Sequence, residues 1–363
     1  MPHKKTLKKI LVLRYRFIGD TILTVPFLRN LRRAEPNAHI AWVVAPGSSE
    51  VVQGIPYVDE LIFWDPVTIH ADSRGTHKTL GEKVKFIREL RARRFDKVYV
   101  LKRSFGSALI GYLTGARKRI GFATEGRSFL LTRSVPYRSE QHEVLSFLDV
   151  LKADGIPVED DYLESWVTPQ ETDDAEKLLA ATGADKSRLL AIHPFGSIYE
   201  KTWPIERFAE TATKLHGQFG LKPVILGAKG DLPGFEKFRH LFPEGSCDLV
   251  GKCGIRITQA VLHKSTFFLG NDSGVMHLAA AAGLPLVAIF GPTSPARFGP
   301  WGGETHVLYS AFPCSPCRQK YFTECEPAAE GRPACIDTIS VNKVHDLCIR
   351  VLNTSQPAGN KEV

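Results

Sequence analysis

Short apolar runs alternate along the chain with stretches in which apolar residues recur every three or four positions. KKILVLR (8–14) has the run of a buried strand, and TILTVPFLRNLRRAEP (21–36) has the spacing of a helix that Pro36 closes. HIAWVVAP (39–46), ELIFWD (60–65) and KVYVLK (97–102) predict three further strands, the last preceded by a basic helix over 79–94. Residues 66–78, with His70, Asp72, Gly75 and His77, predict an exposed polar loop. A helix over 140–154 leads into IPVEDDYLESWVTPQ (156–170), an acidic, proline-containing stretch that suits a domain boundary.

The second half repeats the theme. LLAIHP (189–194), KPVILG (222–227), TFFLGN (266–271) and LPLVAIFG (284–291) predict strands. Helices are predicted over 204–219, 231–242, 256–264 and 275–283, with a last one over 341–352. Strands alternating with helices imply parallel sheets covered on both faces. The expected fold class is α/β, two lobes in series with a cleft between them and a C-terminal helix. The expected divisions are 1–165, 166–340, a helix at 341–353 and a disordered tail at 354–363. We find no repeat of fixed period.

With 43% hydrophobic and 24% charged residues over 363 positions, composition excludes disordered and fibrous classes. The longest apolar stretch, Leu278 to Phe290, is interrupted by Gly283 and Pro285 and falls short of the roughly 20 residues that span a bilayer. At the N-terminus only Ile10 to Leu13 run apolar before Arg14, which reads as a first strand with a charged lead-in rather than a secretory signal. A cytoplasmic location is the simplest expectation.

Charge adds a functional clue. The net charge of +8 divides into +10 over residues 1–160 (27 basic, 17 acidic) and −2 over the rest. The excess is densest in Arg88, Arg91, Arg93, Arg94, Lys97, Lys102, Arg103, Arg117, Lys118 and Arg119. A basic face attracts nucleic acid, anionic lipid head groups or an acidic substrate; over 88–97 alone, a solvated helix face would explain it as well.

Three strand-to-helix junctions carry the candidate chemistry, because open α/β sheets bind ligands at the carboxyl ends of strands. The first is Arg14-Tyr15-Arg16-Phe17-Ile18-Gly19-Asp20. Gly19 would permit an unusual backbone angle, and Asp20 reads either as a helix N-cap or as a general base. The absence of GxGxxG argues against a dinucleotide site in this lobe. The second junction, His193 to Pro204, holds Gly196, Ser197 and Lys201, in which backbone N–H groups beside an ammonium suit a phosphate without forming a Walker A loop. The third, Asn271-Asp272-Ser273-Gly274-Val275-Met276-His277, opens an Ala-rich helix whose positive end suits a diphosphate. Together they argue for an enzyme holding a nucleotide diphosphate in the second lobe.

The same residues resemble the lipopolysaccharide heptosyltransferases, glycosyltransferase family nine, from about Ile10 to about Leu352. The resemblance is carried by the opening strand with Gly19-Asp20, by SFGSALIGYLTGARKRIGF (104–122), by Lys201-Thr202-Trp203-Pro204, and by NDSGVMHLAAAAGLPLVAIFGPTSP (271–295). Residues 104–122 with Glu125 and Arg127 look most like the branch that makes the second inner-core transfer, heptosyltransferase II. The resemblance implies the GT-B architecture of two Rossmann-like lobes and inverting transfer of L-glycero-D-manno-heptose from ADP-heptose to the growing inner core. It implies Asp20 as catalytic base, Lys201 on the donor phosphates, and Asp272, Ser273 and Gly274 around the diphosphate and heptose, with no metal or cofactor required.

Gly196, Ser197 and His277 complete the expected donor set, His277 as a structural neighbour of the donor loop. Lys102, Arg103, Arg117, Arg119 and Arg127 are the acceptor candidates for an anionic Kdo and lipid A acceptor at the inner membrane surface. The enzyme would be held there peripherally, by charge, with no nucleic acid as partner. Cys314, Cys317, Cys325 and Cys335 have the spacing of a four-thiolate zinc or iron–sulfur site, although free or partly buried thiols are the preferred reading in a cytosolic chain. Competing readings are a GT-B transferase or epimerase using another nucleotide sugar, and a basic nucleic-acid binder with a zinc ribbon at 314–335. The latter lacks basic residues interleaved with aromatics.

Overall fold

The structure, a computed structural model, describes residues 7–66, 77–184, 187–317, 325 and 331–354. His70, Asp72 and Gly75 of the predicted loop, and the tail beyond Thr354, lie outside the described residues. The chain divides into two compact units, Met1–Tyr162 and Leu163–Val363.

The first unit contains β1 (Lys9–Leu13), β2 (His39–Val44), β3 (Glu60–Phe63), β4 (Lys97–Val100), β5 (Lys118–Phe122) and β6 (Arg133–Val135). The second contains β7 (Leu189–His193), β8 (Lys222–Ile225), β9 (Cys247–Asp248), β10 (Phe267–Asn271), β11 (Leu286–Phe290) and β12 (Thr305–Tyr309). All neighbouring strands pair parallel, in the orders β3-β2-β1-β4-β5-β6 and β12-β11-β10-β7-β8-β9. Numbered within its own unit, the second order is the same as the first: 3-2-1-4-5-6, the doubly wound Rossmann arrangement. Each sheet therefore has one switch point, between its first and fourth strands. There Leu13 registers with Val100, and His193 with Gly270.

Central strands are apolar on both faces because helices cover both. Ile10 to Leu13, Leu190 to Ile192 and Phe267 to Leu269 are all fully buried. The first core gathers Leu11, Leu13, Val43, Phe86, Leu90 and Val100; the second gathers Ile192, Trp203, Phe208, Phe267 and Ile289. The terminal helix Val341–Thr354 drives Val344, Cys348, Val351 and Leu352 into that second core, so it is part of the second unit's packing.

Several elements differ from the sequence-based expectation. The helix expected over 21–36 is two, Ile18–Ile22 and Val25–Ala34, because Pro26 has no N–H to give the preceding turn and its ring crowds that turn's carbonyl. The helix expected over 231–242 is reduced to the single turn Leu232–Phe235, with Pro233 in its first turn, between 3-10 turns at Lys229–Asp231 and Arg239–Leu241. Helix Phe105–Leu113 was hidden by its two glycines, and helix Pro169–Ala180, with its Thr168/Glu171 capping box, by the acidic composition around it. The unforeseen strands β5, β6, β9 and β12 lie toward the sheet edges, where short or half-buried segments leave a weak signal.

Candidate active site

At the first switch point, β1 ends at Leu13, Arg14 follows and the chain turns sharply. Arg16 (φ 83°) and Phe17 (φ 55°) take the left-handed conformation that costs side-chain-bearing residues free energy. Gly19, expected to carry such an angle, sits instead inside the helical turn Ile18–Ile22. Asp20 is the third residue of that turn, and Phe17 is the N-cap with no side-chain capping bond, so the capping reading of Asp20 fails. The carboxylate is engaged by Arg14, whose Nη2 stands 2.6 Å from Asp20 Oδ2.

The residues after β4 face the same point, because the Leu101 and Lys102 amides both donate to Leu13 O (3.1 and 3.2 Å). Lys102 Nζ lies 5.1 Å from the Tyr15 ring centroid. Burial, reinforced by Arg14 and Arg16, brings its pKa down to about 8, while Asp20 opposes that shift. Arg103 pairs with Glu143 at 2.7 Å and lies over Tyr137, whose hydroxyl donates to the same carboxylate oxygen at 2.8 Å. Arg14, Lys102 and Arg103 thus form one basic cluster with two carboxylates, Asp20 held by Arg14 and Glu143 held by Arg103.

The other acceptor candidates separate. Arg117 is exposed. Arg119 donates to Leu130 O and Ala116 O. Arg127 is fully buried and donates to the carbonyls of Phe122, Lys102 and Ser104. Guanidinium groups committed to backbone carbonyls, fully buried in Arg127 and half-buried in Arg119, hold loops together, so Arg119 and Arg127 leave the acceptor set.

At the second switch point the site is built from small residues. Ser273 is the N-cap of helix Gly274–Ala281, accepting from the Met276 amide at 3.4 Å, and it also contacts His193 Nδ1 at 3.1 Å. Burial lowers the His193 pKa to about 4, so its ring is neutral at physiological pH. Lys201, in the 3-10 turn Tyr199–Lys201, donates to Asp272 Oδ2 at 2.9 Å. Buried Asn271 accepts from the Trp203 amide at 3.0 Å and donates to Phe195 O at 3.5 Å, tying the two loops together. Gly196 sits where a Cβ would come within 2.8 Å of Thr202 Oγ1, and at Gly270 one would come within 3.1 Å of His193 O. Ser197 lies in the same loop, and His277 is buried in the helix that follows. The arrangement offers an ammonium, a helix N-terminus and loop amides in one place, which suits an anionic phosphate group.

Sequence reasoning passed over Arg14, Asn271 and His193 as site residues. For His193 a usable signal existed, since it ends a strand at the sheet's switch point. Arg14 and Asn271 reveal their roles only through their partners.

The model of glycosyltransferase family 9 (heptosyltransferase) matches residues 83–326, about two thirds of the chain. The chain belongs to glycosyltransferase family 9. As a family 9 chain it is a glycosyltransferase, and its two parallel sheets are the GT-B fold. It is 29% identical over 320 residues to lipooligosaccharide heptosyltransferase 2 of Haemophilus influenzae, covering 82% of this chain and 88% of that one. The solved family 9 glycosyltransferase of Veillonella parvula superposes with TM-score 0.83 at 25% identity, over 96% of this chain and 98% of the other. Escherichia coli ADP-heptose lipopolysaccharide heptosyltransferase II superposes with TM-score 0.74 at 23% identity, over 96% and 100%. The family match includes the Lys102, Lys201 and Asp272 loops and begins after Asp20.

Two further features of this family 9 enzyme bear on function. Cys314 is exposed, Cys317 and Cys325 are half-buried and Cys335 is buried. Burial and the thiols of Cys314, Cys325 and Cys317 push Cys335 up to about 11. Among the described residues, no group of three or more His, Cys, Asp or Glu side chains is placed to hold a metal ion. Also among the described residues, no helix is long and apolar enough to cross a membrane.

Proposed function

We propose that this glycosyltransferase moves L-glycero-D-manno-heptose from ADP-heptose to the lipopolysaccharide inner core with inversion, and that it makes the second inner-core transfer, onto an acceptor already bearing heptose. The observation that carries the donor assignment is the pairing of Lys201 with Asp272 beside the Ser273-capped helix N-terminus, at the switch point of the second sheet. Asp20 takes the proton of the acceptor hydroxyl as that oxygen attacks the anomeric carbon from the face opposite ADP. The bond from that carbon to the diphosphate oxygen breaks, and ADP leaves with the bonding pair. Arg14, bound to Oδ2, orients the carboxylate so that Oδ1 meets the hydroxyl.

Lys201, the Gly274–Ala281 helix N-terminus and the amides around Gly196 and Ser197 balance the charge that develops on the departing diphosphate, so the transfer requires no metal or other cofactor. His193 and His277 hold the donor loop. Lys102 and Arg103 receive the Kdo carboxylates and lipid A phosphates of the acceptor. The enzyme works in the cytoplasm, at the inner face of the inner membrane.

The test is ADP release from ADP-heptose with two acceptors in parallel, Kdo-lipid A and its monoheptosylated form. Turnover with the monoheptosylated acceptor alone is expected. Turnover with the unsubstituted acceptor alone would move the enzyme to the first transfer, and silence with both would sink the donor or acceptor assignment.

A further inference from the structure

Helix Phe105–Leu113 (FGSALIGYL) contains no charged residue on any face. Its inner side buries Ser107, Ala108, Ile110 and Gly111, while Phe105 (41% exposed), Leu109 (37%) and Tyr112 (48%), at positions i, i+4 and i+7, face outward. Phe129, 72% exposed, joins this outer stripe through a ring contact with Phe105 at 6.2 Å. An outer helix face is ordinarily polar, and a contiguous apolar patch on a soluble chain marks an interaction surface.

Its border decides the occupant. Arg117 and Lys118, both exposed, follow the helix after a three-residue turn. Arg119 lies over the Tyr112 ring at 5.3 Å. The Arg91 guanidinium reaches the same end, 3.9 Å from where a Cβ on Gly115 would stand. At the opposite end, Glu125 accepts from the Phe105 amide at 2.7 Å, an anion already committed to the helix N-terminus. Aromatic and aliphatic side chains flanked by outward cations match the boundary between head groups and acyl chains of an anionic bilayer.

We infer that Phe105, Leu109, Tyr112 and Phe129 form the surface by which the N-terminal unit docks on an anionic membrane, inserting these side chains while Arg91, Arg117 and Lys118 engage the head groups. The inference deepens the proposed function, which needs a bilayer-bound acceptor, by adding apolar insertion to attraction by charge.

Flotation with vesicles of phosphatidylethanolamine and phosphatidylglycerol, against pure phosphatidylcholine, tests it on the full chain. The unaltered protein is expected to float with the anionic vesicles only. The doubly substituted Leu109→Gln/Phe129→Ser is expected to lower the vesicle-bound fraction about tenfold, and Arg91→Glu/Lys118→Glu to do the same with loss of the salt dependence. All four side chains are exposed, so thermal unfolding should stay near that of the parent.

Turnover of Leu109→Gln/Phe129→Ser on a deacylated, soluble acceptor should be unchanged. A loss there would put the patch in the acceptor site and overturn membrane docking. So would undiminished flotation of both variants, absent flotation of the parent, or a parent dimer that the apolar substitutions dissociate. Vesicle binding without any turnover of ADP-heptose would instead count against the proposed function alone.

Discussion

The two units share one strand order and differ in what they place at its switch point. In the first, a short turn with two strained residues brings Arg14, Lys102 and Arg103 together, with Asp20 on Arg14 and Glu143 on Arg103. In the second, small residues and a serine-capped helix stand beside one lysine, Lys201. Their surfaces differ as well. Ten of the twelve large hydrophobic side chains exposed among the described residues belong to the first unit, which also holds the whole positive excess. The same sheet can therefore serve different tasks, because the sheet sets only where loops meet while the loop side chains set what they bind.

If the division of labour is right, substitutions in one unit should leave the other's ligand alone. Asp20→Asn is expected to cost 10²–10⁴-fold in transfer while ADP affinity, read by titration calorimetry, stays unchanged. Lost ADP affinity in that variant would break the comparison. Lys201→Ala is expected to weaken the donor complex by about ten- to a hundredfold, the worth of a charge-assisted hydrogen bond, with acceptor affinity intact. Unchanged donor affinity and turnover would remove Lys201 from the site.

Acid stability sharpens the contrast on the donor side. His193 stays neutral in the fold down to about pH 4, whereas an unfolded imidazole gains its proton near 6.5. Between those values the unfolded chain binds more protons, so stability falls as pH drops through that window, by on the order of 2 kcal/mol. Denaturant unfolding at pH 7 and pH 4.5 should show the loss, and His193→Asn should flatten it; an equal slope in that variant would assign it to other groups.

The smallest effect belongs to the acceptor side. Lys102 carries its charge below about pH 8 and sheds it above, so KM for an anionic acceptor should rise severalfold as pH passes 8. Lys102→Met should raise KM throughout and remove that step, leaving the donor KM unaltered. A pH step that persists in the variant would place the titrating group elsewhere.

Much of the fold was legible in the chain. The central strands announce themselves because a parallel strand buried on both faces must be a continuous apolar run, as in ILVL (10–13) and FFL (267–269). Edge strands such as β6 and β9 do not, since two or three half-buried residues carry no period. Candidate site residues were legible where glycine, serine and aspartate follow a strand, as at 271–274. Arg127 misled because a surface guanidinium and a buried one look alike in sequence, and only the carbonyls of Phe122, Lys102 and Ser104 distinguish them.

Local chemistry thus determined which segments form strands and helices and which loops could hold an anion, because periodicity, caps and turn residues act over a few positions. Pairing was decided in three dimensions. Lys201 meets Asp272 across 71 positions and Ser273 meets His193 across 80. Those distances close only when β7 and β10 lie side by side at the switch point of the second sheet. The same holds for the outward stripe of Phe105, Leu109 and Tyr112. Only folding, which buries the opposite face of their helix, leaves them on the surface.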